Sequence, residues 1–214
     1  MQPQPFNSQV ILSNSMRTPK QNKIVLGLLT AINDMLELEN DEVYVQKRRE
    51  QEESIHLPKY SNLKWELIDL MNKIGNYYLA GDYDKTSLHI EQALSLHENA
   101  DAYFHKGLIS MHKNKFYDTI RSYTEAIIMF PEYHRAYYMR ANLLFDMLEL
   151  HQLFNDPQIQ LCVKFIKRDL EMARSFGLSE AESLLVELND KLDEEGQDNS
   201  YLNHVRKKIN NWFK

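Results

Sequence analysis

Cysteine, glycine and proline are scarce in this 214-residue chain, which contains one cysteine, six glycines and six prolines. Because Cys162 has no second cysteine to pair with, the sequence excludes an intramolecular disulfide and any metal site built from several thiolates. A reducing compartment, the cytoplasm, is therefore the expected location. Few helix breakers together with 43% apolar residues are typical of a folded globular protein rich in regular structure.

Long apolar runs and an excess of positive charge are also missing. The longest uncharged, mostly apolar run covers residues 24–32, whereas a transmembrane helix needs about 20 such residues. The net charge of −6 removes the basic surface on which nucleic-acid binding depends. We therefore expect no membrane span and no nucleic-acid partner. Residues 1–33 contain three basic residues and no acidic one, so organelle targeting stays open beside a polar, disordered tail over residues 1–19.

The chain contains an internal repeat. A shift of 33 residues aligns Leu70 with Tyr103 and Ala93 with Ala126, and a further shift of 34 aligns Tyr103 with Tyr137. Small residues such as Ala126 recur where two helices of a hairpin would approach each other closely. In the third copy the second half is displaced by 13 inserted residues, because Ala126 aligns with Ala173 at a shift of 47. The pattern predicts three helical hairpins.

The second copy, residues 100–133, carries small and aromatic residues at the spacing of a known repeat: Tyr103, Gly107, Phe116, Tyr123, Ala126 and Pro131. Over residues 63–177 the sequence thereby resembles the tetratricopeptide repeat family. The resemblance implies an all-α fold, a right-handed superhelical stack of helical hairpins whose first helices line a concave groove. In the first copy two registers are open, since either Ile74 or Gly75 can align with Gly107.

Segments on both sides of the repeats are also predicted to be helical. Residues 20–62 form an N-terminal helical extension, and residues 178–214 form C-terminal capping helices. Asn155-Asp156-Pro157 is typical of a helix start and Gly177 of a helix end, while Ser179 and Glu182 have the spacing of a capping box. Tyr201 to Phe213 reads as a basic helix that either folds back on the acidic residues before it or contacts an anionic partner surface.

Catalytic and metal-binding motifs are not found. The sequence has no glycine-rich phosphate loop, no G-x-S-x-G turn and no H-E-x-x-H pair. His105 and His112 lie about two helical turns apart, but no carboxylate or cysteine completes a metal site with them. We therefore expect no enzyme activity, no cofactor and no metal.

Partner binding is instead expected in the groove lined by the first helices, as the family resemblance implies. We predict a protein or peptide ligand with apolar anchors and one acidic group facing Arg135. A carboxylate clamp for chaperone tails is disfavoured, because only Asn76 and Arg135 align with its cationic and amide groups. The alternative is that Phe104, Leu108 and Met111 pack against a terminal extension, which would fill the groove. The predicted groove residues are Asn72, Asn76, Phe104, His105, Leu108, His112, Arg135, Tyr138, Asn142 and Phe145.

The leading hypothesis is thus a non-enzymatic adaptor, scaffold or assembly factor. A structural subunit of a stable multiprotein complex and a secretion-type chaperone are the alternatives. The sequence leaves the oligomeric state and the identity of the partner open.

Overall fold

The protein is a stack of α-helices. A computed structural model describes residues 17–154 and 156–192, and within these ranges it contains helices and turns but no strand, which confirms the all-α prediction. The predicted Tyr201–Phe213 helix and most of the predicted tail lie outside the described residues. The helices are α1 (Pro19–Asn40), α2 (Glu42–Ser54), α3 (Ser61–Leu79), α4 (Tyr83–Leu96), α5 (Ala100–His112), α6 (Phe116–Met129), α7 (His134–Leu150), α8 (Gln160–Ser175) and α9 (180–192).

Helices α3 to α8 form three successive hairpins, α3/α4, α5/α6 and α7/α8, and each hairpin packs on the next. The turns inside the hairpins contain Gly81, Asn114 and Gln152, all of which have positive φ. Gly81 and Asn114 are 33 residues apart, so the repeat in the sequence is also a repeat of backbone conformation. The side chains of Asp82 and Asn99 cap α4 and α5 by accepting hydrogen bonds from backbone N–H groups.

The 13 inserted residues lengthen the third hairpin as predicted. Helix α7 has 17 residues whereas α5 has 13, so about one extra turn of helix uses four of the inserted residues. The remainder forms a loop and a 3₁₀ turn over Pro157–Ile159, which Asp156 caps through the backbone N–H of Gln158. Gly177 follows α8 with φ +91°, which confirms it as the end of that helix.

Two boundary predictions need correction. Arg17 pairs with Asp156, and Thr18 and Gln21 form a capping box at the start of α1, so the folded part begins inside the predicted tail of residues 1–19. The predicted capping box at Ser179 does not form. The Ser179 hydroxyl donates to the neighbouring Glu180, and Glu182 pairs with Arg174. Helix α9 buries leucines at positions 184, 185 and 188, while Leu192 is half-buried.

The two helices of the second hairpin, α5 and α6, approach each other closely at Gly107. A Cβ atom built on Gly107 would stand 2.4 Å from Cε1 of Tyr123, a fully buried residue of α6. In α3, Gly75 has open space where its Cβ would be, whereas Ile74 is completely buried. The structure therefore selects the 33-residue register, in which Ile74 is the equivalent of Gly107.

Helices α1 and α2 pack on the second-helix side of the stack. Both contact α6, and α1 also contacts α8. The buried residues Val25, Leu28, Ile32 and Met35 recur every three or four positions, so they form one stripe that α1 presents to the core. Consequently α6 is buried over most of its length. Its exposed residues, at positions 117, 118 and 121, lie in its N-terminal half.

Candidate functional site

A buried ion network joins α1 to the third hairpin. Arg140 is fully buried and donates from Nε and Nη2 to both oxygens of Asp169, over 2.7 and 3.0 Å. Its Nη1 donates to Glu39 on α1 and to the Thr124 hydroxyl on α6, each over 2.8 Å. Burial alone would raise the pKa of Glu39, but Arg140 and Arg168 outweigh it and hold that pKa below its ordinary value. The network ties four helices together.

A second arginine fixes α2. Arg48 is only 5% exposed; its guanidinium contacts the carboxylates of Glu98 and Glu125 and lies over the Tyr103 ring, 5.1 Å from the centroid. The Tyr44 hydroxyl on the same helix donates to Glu125 over 2.6 Å. Together these contacts hold α2 against α5 and α6.

The two networks determine which face of the stack remains open. Because α1 and α2 are held on the side of α6, they do not cover the opposite face, formed by the first helices α3, α5 and α7. We call it the first-helix face. Neither α1 nor α2 fills the groove, as the alternative with a terminal extension packed against the first helices would require.

The structure divides the predicted groove residues by exposure. Asn72, Asn76, His112 and Arg135 are exposed, whereas His105, Tyr138 and Asn142 are half-buried. The three remaining residues, Phe104, Leu108 and Phe145, are 7%, 9% and 2% exposed. Because these side chains belong to the core, the prediction that they form open apolar anchors is wrong.

Contacts within the stack explain that burial. The Phe104 ring packs against the rings of Tyr123 and Tyr133, with centroids 5.7 and 5.1 Å apart. Phe145 packs edge-on against Phe154, which the inserted loop supplies. Aromatic rings at these positions therefore stabilise adjacent hairpins and leave little surface for a ligand.

The α3 end of the first-helix face contains an aromatic cluster that the sequence prediction missed. The imidazole of His112 stacks on the Tyr83 ring with centroids 4.2 Å apart, and its Nε2 lies 3.4 Å from the Tyr78 hydroxyl. Burial raises the pKa of the Tyr78 phenol, and Tyr83 adds to the effect. Leu79, the next residue after Tyr78, is 85% exposed, and Ile68, about three turns earlier in α3, is 40% exposed.

A sequence signal for these residues existed. In the 33-residue register Ile68 and Leu79 are the equivalents of Asp101 and His112. Asn72 and Asn76 follow from the register with Gly75 in the place of Gly107, and the other register, which the sequence left open, would have given Met71 and Gly75.

The α7 end of the face is charged. Arg135 is exposed and has no carboxylate within salt-bridge distance among the described residues. Nearby, the Tyr133 hydroxyl donates to Asp101 over 2.6 Å. The pKa of Glu180 on α9 lies below its ordinary value because its own backbone N–H and the Ser179 hydroxyl donate to it, with a smaller contribution from Arg135. The Arg135 guanidinium is therefore an exposed positive charge at this end of the face.

On the opposite side, a cleft of about 500 Å³ lies between α1 and α6. Asp34, Glu37, Asp41 and Asp118 line it, with Arg121 as a basic group. The repeat pattern gave no indication of this cleft, since it depends on where α1 docks.

The single cysteine and the potential metal ligands were compared in the part of the chain that the structure describes. Burial raises the pKa of the Cys162 thiol to about 12, which suppresses the nucleophilic thiolate. Residues 17–154 and 156–192 contain no group of three or more His, Cys, Asp or Glu side chains placed to hold a metal ion. Over the same residues, every helix is too short or too polar to cross a membrane.

No protein-family model matches the chain, and no curated protein sequence is significantly similar to it. The tetratricopeptide resemblance therefore stays a prediction that rests on the residues quoted above.

Proposed function

We propose that this protein is a non-enzymatic interaction module that binds a segment of a partner protein on the first-helix face. The observation that carries the proposal is the position of α1 and α2, which two buried arginine networks hold on the other side of the stack. That arrangement leaves the first helices of all three hairpins uncovered by α1 and α2, while α9 contacts α7 through the Lys191–Glu149 pair. Helical repeat stacks bind extended peptides and helices on such continuous surfaces.

The chemistry of the face defines the ligand. At the α3 end, Ile68 is exposed, and about three turns further along the helix exposed Leu79 follows Tyr78 of the Tyr78, Tyr83 and His112 cluster; both places suit an apolar or aromatic side chain. At the α7 end, Arg135 suits a carboxylate. With helices packed at the usual 8–10 Å, Ile68 and Arg135, which are equivalent positions of the repeat, are about 20 Å apart, and about six extended residues span that distance. We therefore propose a short segment with an apolar residue near one end and an acidic residue near the other.

A charge-reversal pair tests this proposal. Arg135→Glu on the first-helix face should weaken partner recovery from native extract by about 10- to 150-fold, the usual range for losing a hydrogen bond to a charged group. Arg121→Glu is the matched control, because Arg121 is also exposed but lies on α6 beside the cleft. Circular dichroism must show equal helicity in both variants.

Two results would count against the first-helix face. Equal recovery by Arg135→Glu and wild type would remove the proposed acidic contact. Loss of the partner with Arg121→Glu alone would move binding to the α1/α6 side, where a structural subunit would be buried in its complex.

A further inference from the structure

The cleft between α1 and α6 combines an apolar floor with two acidic walls. Its floor is formed by the buried residues Ala31, Met35 and Ile120. Four exposed acidic residues stand above the floor, Asp34, Glu37 and Asp41 on the α1 side and Asp118 on the α6 side. With one arginine among the lining residues, these four acids give the cleft a net charge of −3. Its volume of about 500 Å³ is typical of a binding pocket.

The negative charge of the cleft is largely uncompensated. Among the described residues, the basic partner of these acids is Lys115, which is exposed and lies 3.8 Å from Asp118. Glu37 accepts from the Asn33 amide over 2.9 Å, and Asp41 accepts from a backbone N–H over 3.0 Å. Because these donors are neutral, they leave the charge in place. The cleft therefore favours a cationic occupant that can also cover its apolar floor.

The last segment of the chain has the complementary composition. Residues 201–214 contain four basic residues and no acidic one, a net charge of +4. In the predicted helix Tyr201–Phe213 the apolar residues share one face, at positions 202, 205, 209 and 212. At 3.6 residues per turn, Arg206 and Lys208 flank that face on opposite sides, whereas Lys207 lies opposite to it. With the apolar face on the floor, each acidic wall would meet one basic residue.

The segment is close enough to reach the cleft. The last turns of α9 and α7 lie side by side, since Lys191 pairs with Glu149 over 2.8 Å. Helix α6 packs beside α7 and begins at the same end of the stack, where the hairpin turns lie. Two helix spacings of 8–10 Å place α6 about 20 Å from α9. The nine residue steps from 192 to 201 span up to about 30 Å, which is sufficient.

Other segments of the chain fit the cleft or the basic helix less well. Residues 1–16 contain no charged side chain, so they could not neutralise the acidic walls. Helix α9 is acidic, but its leucines at positions 184, 185 and 188 are already buried in the core. Its outer surface keeps Val186 as an exposed large apolar residue. The cleft, in contrast, offers both an apolar floor and acids on two sides.

We propose that the C-terminal segment Tyr201–Phe213 docks in the α1/α6 cleft of its own chain. Its apolar face would cover Ala31, Met35 and Ile120, and Arg206 and Lys208 would pair with the acidic walls. The docked segment would occupy the α6 side of the stack and leave the first-helix face to a partner. The proposal stands independently of any partner bound near Arg135.

The fluorescence of Trp212 tests the docking. The chain has two tryptophans, and Trp65→Phe, at a position that is 72% exposed, leaves Trp212 as the one fluorophore of this kind. In this background, the double variant Asp34→Lys with Glu37→Lys should shift the Trp212 emission to longer wavelength and increase its quenching by acrylamide. The physical reason is that two added positive charges on the α1 wall repel the basic segment.

A second double variant, Glu187→Lys with Asp190→Lys, is the matched control. Both residues are exposed on α9, and the pair has the same three-residue spacing and the same change of charge. It should leave the Trp212 emission unchanged, whereas a basic helix folded back on α9 would respond to it. Circular dichroism must show equal helicity in the background and in both double variants.

Zero-length chemical coupling of the unmodified sequence locates the contact. A carbodiimide joins a lysine amine to a carboxylate when the two groups touch. In the monomeric fraction, mass spectrometry should find Lys208 joined to Asp34, Glu37, Asp41 or Asp118. Lys207, on the opposite side of the predicted helix, should couple to these acids much less and serves as the internal control.

Two outcomes would overturn the proposal. One is a Trp212 emission that the Asp34→Lys and Glu37→Lys pair leaves unchanged. The other is a monomeric fraction in which Lys208 is joined to none of the cleft acids, whether it is uncoupled or coupled to the acids of residues 187–198 instead.

Discussion

Replacing Gly107 with alanine tests the hairpin packing most sharply. The added Cβ would lie 2.4 and 2.6 Å from Cε1 and Cδ1 of Tyr123, whereas ordinary contacts of a Cβ begin near 3.4 Å. The tyrosine ring must therefore retreat by about 1 Å, but it is fully buried and packs against Phe104. Overpacking of this kind costs about 1–3 kcal/mol. The better helix propensity of alanine offsets about 1 kcal/mol of that cost.

Gly75→Ala supplies the matched control. It makes the same substitution in the equivalent first helix, but its Cβ would meet nothing within 4 Å. Gly75→Ala should therefore stabilise the protein by up to about 1 kcal/mol. The two variants should differ by about 1–3 kcal/mol, or about 2–12 °C in melting temperature for a chain of this size. Thermal unfolding followed by circular dichroism at 222 nm measures the difference. Equal melting temperatures would refute the close approach of α5 and α6.

Two further predictions concern the buried network. Arg140→Leu should destabilise the protein by about 3–5 kcal/mol, because it removes the buried bidentate partner of fully buried Asp169 and leaves that carboxylate only the half-exposed Arg168. Arg168→Leu, which removes only this half-exposed partner, should cost about 1 kcal/mol or less in urea unfolding. Because the pKa of Glu39 is lower in the folded state than its ordinary value of 4.5, its contribution to stability is present above pH 4.5 and is lost as the pH falls through the folded pKa. Urea unfolding between pH 7 and pH 3.5 should thus show a smaller fall in the free energy of unfolding for Glu39→Gln than for wild type.

The hairpins could be predicted from the sequence because their signals are local. The caps at Asp82 and Asn99, the stop at Gly177 and the small residue at Gly107 each act on atoms within the same or the adjacent helix. Even the insertion could be placed, since the residues before and after it keep the repeat spacing.

The docking of α1 and α2 could not be predicted in this way, because its contacts join residues far apart in the chain. Glu39 and Arg140 are 101 residues apart, and Arg48 and Glu98 are 50 apart. A partial signal was present: Arg140 and Asp169 each interrupt the buried apolar stripe of its own helix, α7 and α8. Opposite charges at such positions on two helices of one hairpin indicate a buried pair.

The exposure of side chains along the first helices could not be predicted from the sequence either. Phe104 and Phe145 fall at helix positions that face the groove in the family pattern, yet their rings are long enough to reach neighbouring aromatic residues in the core. Helix periodicity defines a direction for each side chain, but the packing of rings from several helices decides how much of it stays exposed.

Hydrogen exchange of the protein with and without its captured partner tests the central claim most directly. The account predicts that the partner slows exchange of backbone amides in the first helices α3, α5 and α7, residues 61–79, 100–112 and 134–150, and leaves α1 and α2 unchanged. Protection concentrated in α1, α2 or the cleft beside α6, with α5 and α7 unaffected, would contradict the assignment of the first-helix face as the binding surface.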